Sequence, residues 1–239
     1  MATNASGRQT SLQYVNNIDI VSTIVVPIPM EEKGKDMTEA AAQSLRQQRR
    51  EKRRREILEA ALELFATQGY QGASMEEIAE AALLTRAGLY RYYSDKPSLL
   101  NALRRWKVLE LTQRSVGRLG KAKEFAAQLH AVIRETLAFQ EENPGFFRIL
   151  FTAGTLPELA EDDAFAPYSS LLLQILAGGV KEGAVTTDFP SEELAMILAS
   201  LIFKNLIKRN LLGFTPTKRL EQDAELIERV FLEGAASKS

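Results

Sequence analysis

The sequence predicts an all-α protein, an N-terminal three-helix helix-turn-helix domain followed by a larger helical domain. Three observations lead there. From Thr38 onward apolar residues recur at the roughly 3.6-residue spacing of one buried helix face. The periodic runs end at short breaks that disfavour helix: Asn143-Pro144-Gly145, Leu156-Pro157, Asp188-Phe189-Pro190 and residues 213–216. No run alternates polar and apolar residues for long enough to demand a sheet.

Taken in order, Thr38 can cap a first helix that passes through an alanine-rich turn into the basic stretch 43–55. The apolar set Ile57, Leu58, Ala61, Leu62, Leu64 and Phe65 follows on one face, and Gly69 and Gly72 stop it. Ser74-Met75-Glu76-Glu77 is a capping box that starts a short helix over 74–82, with Ile78 and Ala79 facing a core. After a break at Leu83-Leu84, Thr85 can cap a second short helix over 85–93. Its small residues Ala87 and Gly88 allow close approach to another surface. Leu89 and Tyr93 are spaced to anchor it inward, which turns Thr85, Arg86 and Tyr90 outward with Tyr92 beside them. Two short helices joined by a tight turn, the second small and polar at its start, fit a helix that enters a DNA major groove. Further helices are expected over about 95–114, 122–142, 144–154, 164–182, 191–212 and 217–235.

Composition narrows the function. The chain has no cysteine and a single histidine, His130, which excludes a disulfide framework and a thiolate or multi-histidine metal site. The formal charge of −1 is unevenly spread. Residues 46–107 hold 13 Lys and Arg against 8 Asp and Glu, whereas residues 108–239 hold 14 against 18. A local positive region suits contact with phosphates, and it also suits solvated helix faces. No nucleophile-base order, phosphate-cradling glycine loop or metal-ligand spacing appears, so neither an enzyme nor a cofactor is expected. The paired carboxylates Glu141-Glu142 and Asp162-Asp163 are adjacent, and adjacent residues on a helix point apart.

Residues 1–45 read as a flexible extension. The apolar stretch 18–30 is shorter than the roughly 20 residues of a membrane span and carries Asp19 and two prolines. It lacks the basic start and cleavage site of a signal peptide. Translation from Met30 or Met37 is a further reading of this segment. A protein of the cytoplasm with no membrane contact is expected.

The segments 57–65, 69–74, 77–79 and 85–93, with Ser94-Asp95-Lys96, Leu99 and Leu100, resemble the DNA-binding domain of the TetR/AcrR family. The match covers about residues 51–111, a dozen positions falling in register without a gap. It implies domains at 46–111 for DNA and 112–239 for ligand binding and dimerisation. It further implies a homodimer on an inverted-repeat operator of double-stranded DNA, repression as the default, and a small-molecule effector that releases the DNA. A regulator of the same build that answers to a protein partner, or to no ligand, is the alternative. One departure concerns Leu83, where the family carries glycine. Either Leu83 adopts left-handed backbone or the turn is built differently.

The resemblance implies DNA contacts from Arg53, Ser74, Met75, Thr85, Arg86, Ala87, Gly88, Tyr90, Tyr92 and Lys96. Ser74 and Lys96 would hold phosphates, Thr85 to Gly88 would lie at base edges, and Arg86 would read guanine. Packing is the competing role for the tyrosines, and a solvated charge for Arg86, Lys96 and the arginines of 46–55. In the second domain Phe139, Phe147, Phe151, Phe165 and Tyr168 are either packed core or the lining of an apolar ligand pocket. Trp106, on the helix that leaves the first domain, is a candidate for the ligand site and for coupling it to the recognition helices. His130 reads as structural. The last two helices are apolar on wide faces, and the resemblance pairs them with their copies across a two-fold axis through Leu194, Leu198, Leu201, Ile202, Leu226 and Val230.

Overall fold

The basic stretch and the apolar set that follows it join in one helix, α1 (Met37–Gly72). The structure, a computed structural model, describes residues 37–120, 122–152, 163–212 and 219–235. The reading of 1–45 as an extension therefore falls largely outside the described residues. Contacts divide the chain after Glu51. Up to that point the described residues are helical and mostly exposed, with pairs along the helix such as Gln47 Nε2 to Glu51 Oε1 at 3.1 Å. Residues 52–239 form the second unit and hold every element considered below. Gly69, at φ 79° and ψ 161°, interrupts α1 one turn before its end. Such a backbone is open to glycine at no steric cost.

Beyond α1 come α2 (Met75–Ala81), α3 (Arg86–Tyr90) and α4 (Lys96–Leu119). Then follow α5 (Phe125–Glu142), α6 (Pro144–Thr152), a 3₁₀ turn (Asp163–Phe165), α7 (Ala166–Lys181), α8 (Ser191–Leu212) and α9 (Leu220–Ala235). Among the described residues no element is a strand, and the fold is all-α. Two helices differ most in length from the expectation. α3 ends at Tyr90 because Arg91 and Tyr92 turn the chain toward Asp95, the cap of α4. α4 runs past Arg114 to Leu119 because carboxylates of α5 hold its last charged turns. Arg114 Nε lies 2.6 Å and Arg118 Nε 3.0 Å from the buried Glu135 carboxylate.

Two apolar cores organise the second unit. The first gathers Ile57, Ala61 and Phe65 of α1, Met75 and Ile78 of α2, Leu89 of α3, and Leu99 and Leu103 of α4. The second gathers Val108 and Leu111 of α4 with Phe139, Phe147, Tyr168, Leu198, Ile227 and their neighbours on α5 to α9. α4 thus feeds both. So does α6, which sends Ile149 into the first core and Phe146, Phe147 and Leu150 into the second. At its start Gly145 lies so close to α1 that a Cβ there would stand 2.9 Å from Ala66 Cβ. Arg148 donates from the same helix to the Ala66 carbonyl.

Candidate nucleic-acid interface

α2 begins with the predicted reciprocal cap. Ser74 Oγ accepts from the Glu77 amide at 3.2 Å, and Glu77 Oε2 accepts from the Ser74 amide at 2.8 Å. Ser74 Oγ also lies 2.7 Å from Glu77 Oε2, so the hydroxyl proton is committed to that carboxylate. These bonds from Ser74 hold the Glu77 carboxyl below its ordinary value. The end of α2 is a Schellman motif: Leu84 N donates to Ala79 O at 2.8 Å and Leu83 N to Glu80 O at 2.9 Å. Its left-handed position is Leu83, at φ 54°. The turn keeps the glycine geometry, and the leucine side chain stands in solvent, 89% exposed.

That turn delivers α3. Thr85 Oγ1 accepts from Gly88 N at 3.1 Å, and Leu89 is fully buried with Tyr93 behind it. Thr85, Arg86, Ala87 and Tyr90 are exposed, while Gly88 and Tyr92 are half-buried. Arg86 is held on two sides. Its Nε lies 2.9 Å from Glu76 Oε1 of α2, and its guanidinium carbon lies 5.6 Å from the centre of the Tyr90 ring. Lys96, the first residue of α4, donates to the carbonyls of Ala73 at 3.0 Å and Gln71 at 3.3 Å, 4.8 Å above the Tyr70 ring. It thus ties the start of α4 to the turn after α1. Arg53 pairs with Glu56 at 2.7 Å on the exposed face of α1.

Met75 departs from its expected role. It is only 7% exposed and packs in the first core, because it shares a helix face with Ile78, Ala79 and Ala82. Its side chain is not presented as a DNA contact. Glu76 and Tyr70 belong to the site and were not singled out in the sequence. Both act across a turn, where periodicity carries no signal.

In the second core the structure brings together Phe139, Phe147 and Tyr168, all buried, with Phe165 packed against them. Phe139 and Phe147 meet edge to face at 6.1 Å. The Tyr168 hydroxyl meets Thr136 Oγ1 at 2.7 Å, and burial pushes its pKa well up. The side chain of Phe151 lies outside the described residues. Trp106 packs on the first core instead, and Lys107 links it to the second. The Lys107 ammonium stands 4.7 Å from the Trp106 ring and 5.6 Å from Phe139. His130 joins α5 to α9, with Nδ1 2.7 Å from Glu228 Oε2 and Nε2 3.1 Å from Glu221 Oε1.

Three of the expected dimer contacts are also corrected. Leu194, Leu198 and Ile202 are buried in the chain's own second core, and Leu201 is half-buried against it. Apolar residues are spread around α8 rather than gathered on one stripe, so periodicity does not distinguish its inner face from its outer one. Among the described residues the large apolar side chains left exposed on α8 and α9 are Met196, Ile197, Leu226 and Val230. Among the described residues no helix is long and apolar enough to cross a membrane.

Residues 57–103 match the family model for bacterial regulatory proteins of the tetR family. The HTH-type transcriptional regulator YvdT of Bacillus subtilis (strain 168) is 25% identical over 167 residues, 69% of this chain and 86% of that protein. The HTH-type transcriptional regulator AcrR of Shigella flexneri is 37% identical over 87 residues, 35% of this chain and 38% of that one. In fold, the chain is similar to a transcriptional regulator FadR from Bacillus subtilis in complex with stearoyl-CoA. The TM-score is 0.67 at 17% identity, over 75% of this chain and 97% of that one. The matched segment contains both capped helices, the turn at Leu83 and Lys96, and over it the chain carries a helix-turn-helix domain similar to that of the tetR family of bacterial regulatory proteins.

Proposed function

We propose that this regulator acts as a homodimer in the cytoplasm, reads an inverted-repeat operator through α3, and by default represses. A small apolar or amphipathic effector among α4 to α8 releases it. The observation that carries the reading is α3 itself. A Thr85-capped helix buries Leu89 and leaves Thr85, Arg86, Ala87 and Tyr90 outward, small enough at Ala87 and Gly88 to approach base edges. The arginines of 52–55 add a basic stretch for the phosphate backbone. Ser74, Tyr92 and Lys96 lie beside α3 as backbone contacts, Ser74 once DNA replaces its bond to Glu77.

The dimer would pair the exposed apolar sides of α8 and α9, giving a two-fold assembly that suits an inverted repeat. The effector would act by population shift. It prefers a spacing of the two recognition helices other than the one that fits DNA, and weakens binding by that preference alone. Phe139, Phe147, Phe165 and Tyr168 would line its site, with Trp106 and Lys107 on the path to α3. A neighbour in fold was solved with an acyl-CoA, which favours a ligand with a long apolar part.

Selection of bound duplexes from a random pool tests the reading. The expected product is an inverted repeat with half-sites about 34 Å apart or a multiple of that. Log affinity should fall with log salt by roughly 0.9 per phosphate neutralised. Failure to enrich any sequence at low ionic strength would refute it. Acyl-chain ligands that raise the melting temperature should also release the DNA. Stabilisation without release would remove the effector part alone.

A further inference from the structure

Glu76, an exposed carboxylate of the first turn of α2, pairs with the principal arginine of α3, and affinity for phosphates gives no reason for that pairing. We propose that Glu76 is a positioning residue for specificity, holding the Arg86 guanidinium in the orientation from which it reads one base. The proposal rests on the reading of α3 as the base-reading helix. It goes further by assigning the orientation of its principal side chain to a residue of the other helix.

An ion pair and an aromatic ring flank the guanidinium. The Glu76 carboxylate is ion-paired with the guanidinium, Oε1 lying 2.9 Å from Nε. Tyr90, one turn along the same helix face, lies beside it, its ring centre 5.6 Å from Cζ. Among the described residues neither Nη group has a partner. Those two groups form the donor pair that matches O6 and N7 of guanine in the major groove. An arginine free in solution must freeze several torsions before it can present that fork, and here the carboxylate and the ring restrain it beforehand.

A stabilising role for the pair does not account for it. Its side chains are 68% and 51% exposed, a setting in which an ion pair contributes little to folding. A carboxylate beside the duplex also repels phosphates. Loss of Glu76 therefore has two effects of opposite sign: binding to any DNA tightens while discrimination at one base weakens. A residue needed only for folding would lower both.

The test uses the full-length protein and the sequence enriched from the random pool. Arg86→Ala identifies the base pair that Arg86 reads, as the position where preference is lost. Glu76→Ala is expected to reduce preference at that same position by up to about fivefold, the usual worth of an exposed ion pair. It should raise affinity for a scrambled duplex severalfold at low salt and leave other positions unchanged. Glu76→Asp, which keeps the carboxylate on a shorter stem, should retain part of the preference and bind scrambled DNA no more tightly than the parent. In the Arg86→Ala background Glu76→Ala should have no further effect on preference. An unchanged base preference in Glu76→Ala, with a motif enriched by the parent protein, overturns this proposal and leaves the regulator reading intact. So does a preference that falls equally with and without Arg86. A parent protein that enriches no motif overturns both.

Discussion

At the scale of single residues, Leu83 and Gly183 occupy the same place in the same motif. After α7, Ala184 N donates to Gly179 O at 2.9 Å and Gly183 N to Val180 O at 3.1 Å, with Gly183 at φ 73°. After α2 the equivalent bonds close around Leu83 at φ 54°. A Cβ in left-handed backbone costs roughly 1–2 kcal/mol, partly offset by the greater freedom of glycine in the unfolded chain. Leu83 recovers nothing by packing, since its side chain is exposed. Leu83→Gly is therefore expected to stabilise the protein by about 1 kcal/mol, read as a higher denaturant midpoint at unchanged slope. An unaltered or lower midpoint would mean that the turn carries no strain. Residue-scale features of this kind were legible in the sequence where they are local. The Ser74-Glu77 box and the Thr85 cap are contacts three residues apart, and the chain had only one way to make them. Met75 points inward by its own spacing to Ile78, Ala79 and Ala82, against the DNA contact that the resemblance implies. Glu76 was not found, because its contact with Arg86 depends on how two helices cross.

At the scale of elements, most helices were legible because each buries one periodic face and ends at a glycine, proline or cap. The role of α6 was not. Its apolar residues read as a single buried face, and only the fold reveals that Ile149 and Phe147 point into different cores. The close contact of Gly145 with α1 makes that role testable. A side chain there must displace Ala66, which sits on a helix and cannot give way. Gly145→Val should cost about 1–3 kcal/mol of stability, the range for overpacking, and should weaken any coupling between effector and DNA, measured as the ligand-induced fold-change in operator affinity. Unchanged stability would show that α6 can shift freely. Ion pairs also join elements, and their response to pH has a definite sign. The Arg114 bond holds the Glu142 carboxyl below its ordinary value, and the Arg134 bond, with His130 adding to it, does the same for Glu221. A carboxyl depressed in the folded state stabilises fully above its unfolded pKa of about 4.5, and loses that contribution as pH falls through the lower folded value. Stability should thus decline as pH drops below about 4.5. Glu142→Gln combined with Glu221→Gln should make that decline shallower in midpoints measured between pH 6 and 3. An equally steep decline in the double variant would exclude these two groups as its source.

At the scale of the whole molecule, the question is what covers the outer faces of α8 and α9. Leu194, Leu198 and Ile202 point into the second core, and Ala224, Ile227 and Phe231 join them from α9, so the two helices are already anchored to their own chain. Met196 and Ile197 on one helix, with Leu226 and Val230 a turn apart on the other, remain about half exposed or more. Burial of these four against a second copy would draw on the hydrophobic effect without disturbing the core that positions them. It would also fix two α3 helices on one side of the assembly, which a single subunit cannot do. Val230→Arg places a charge on that outer face and leaves the core alone. The expected result is a monomer by sedimentation at micromolar concentration, with unchanged helical circular dichroism. Operator affinity should be roughly a hundredfold weaker or more, since each half-site must then be bound without the other. A variant that stays dimeric would move the interface away from α9. A monomeric variant that binds the operator as tightly as its parent would remove the link between two-fold symmetry and DNA recognition on which the proposed function depends.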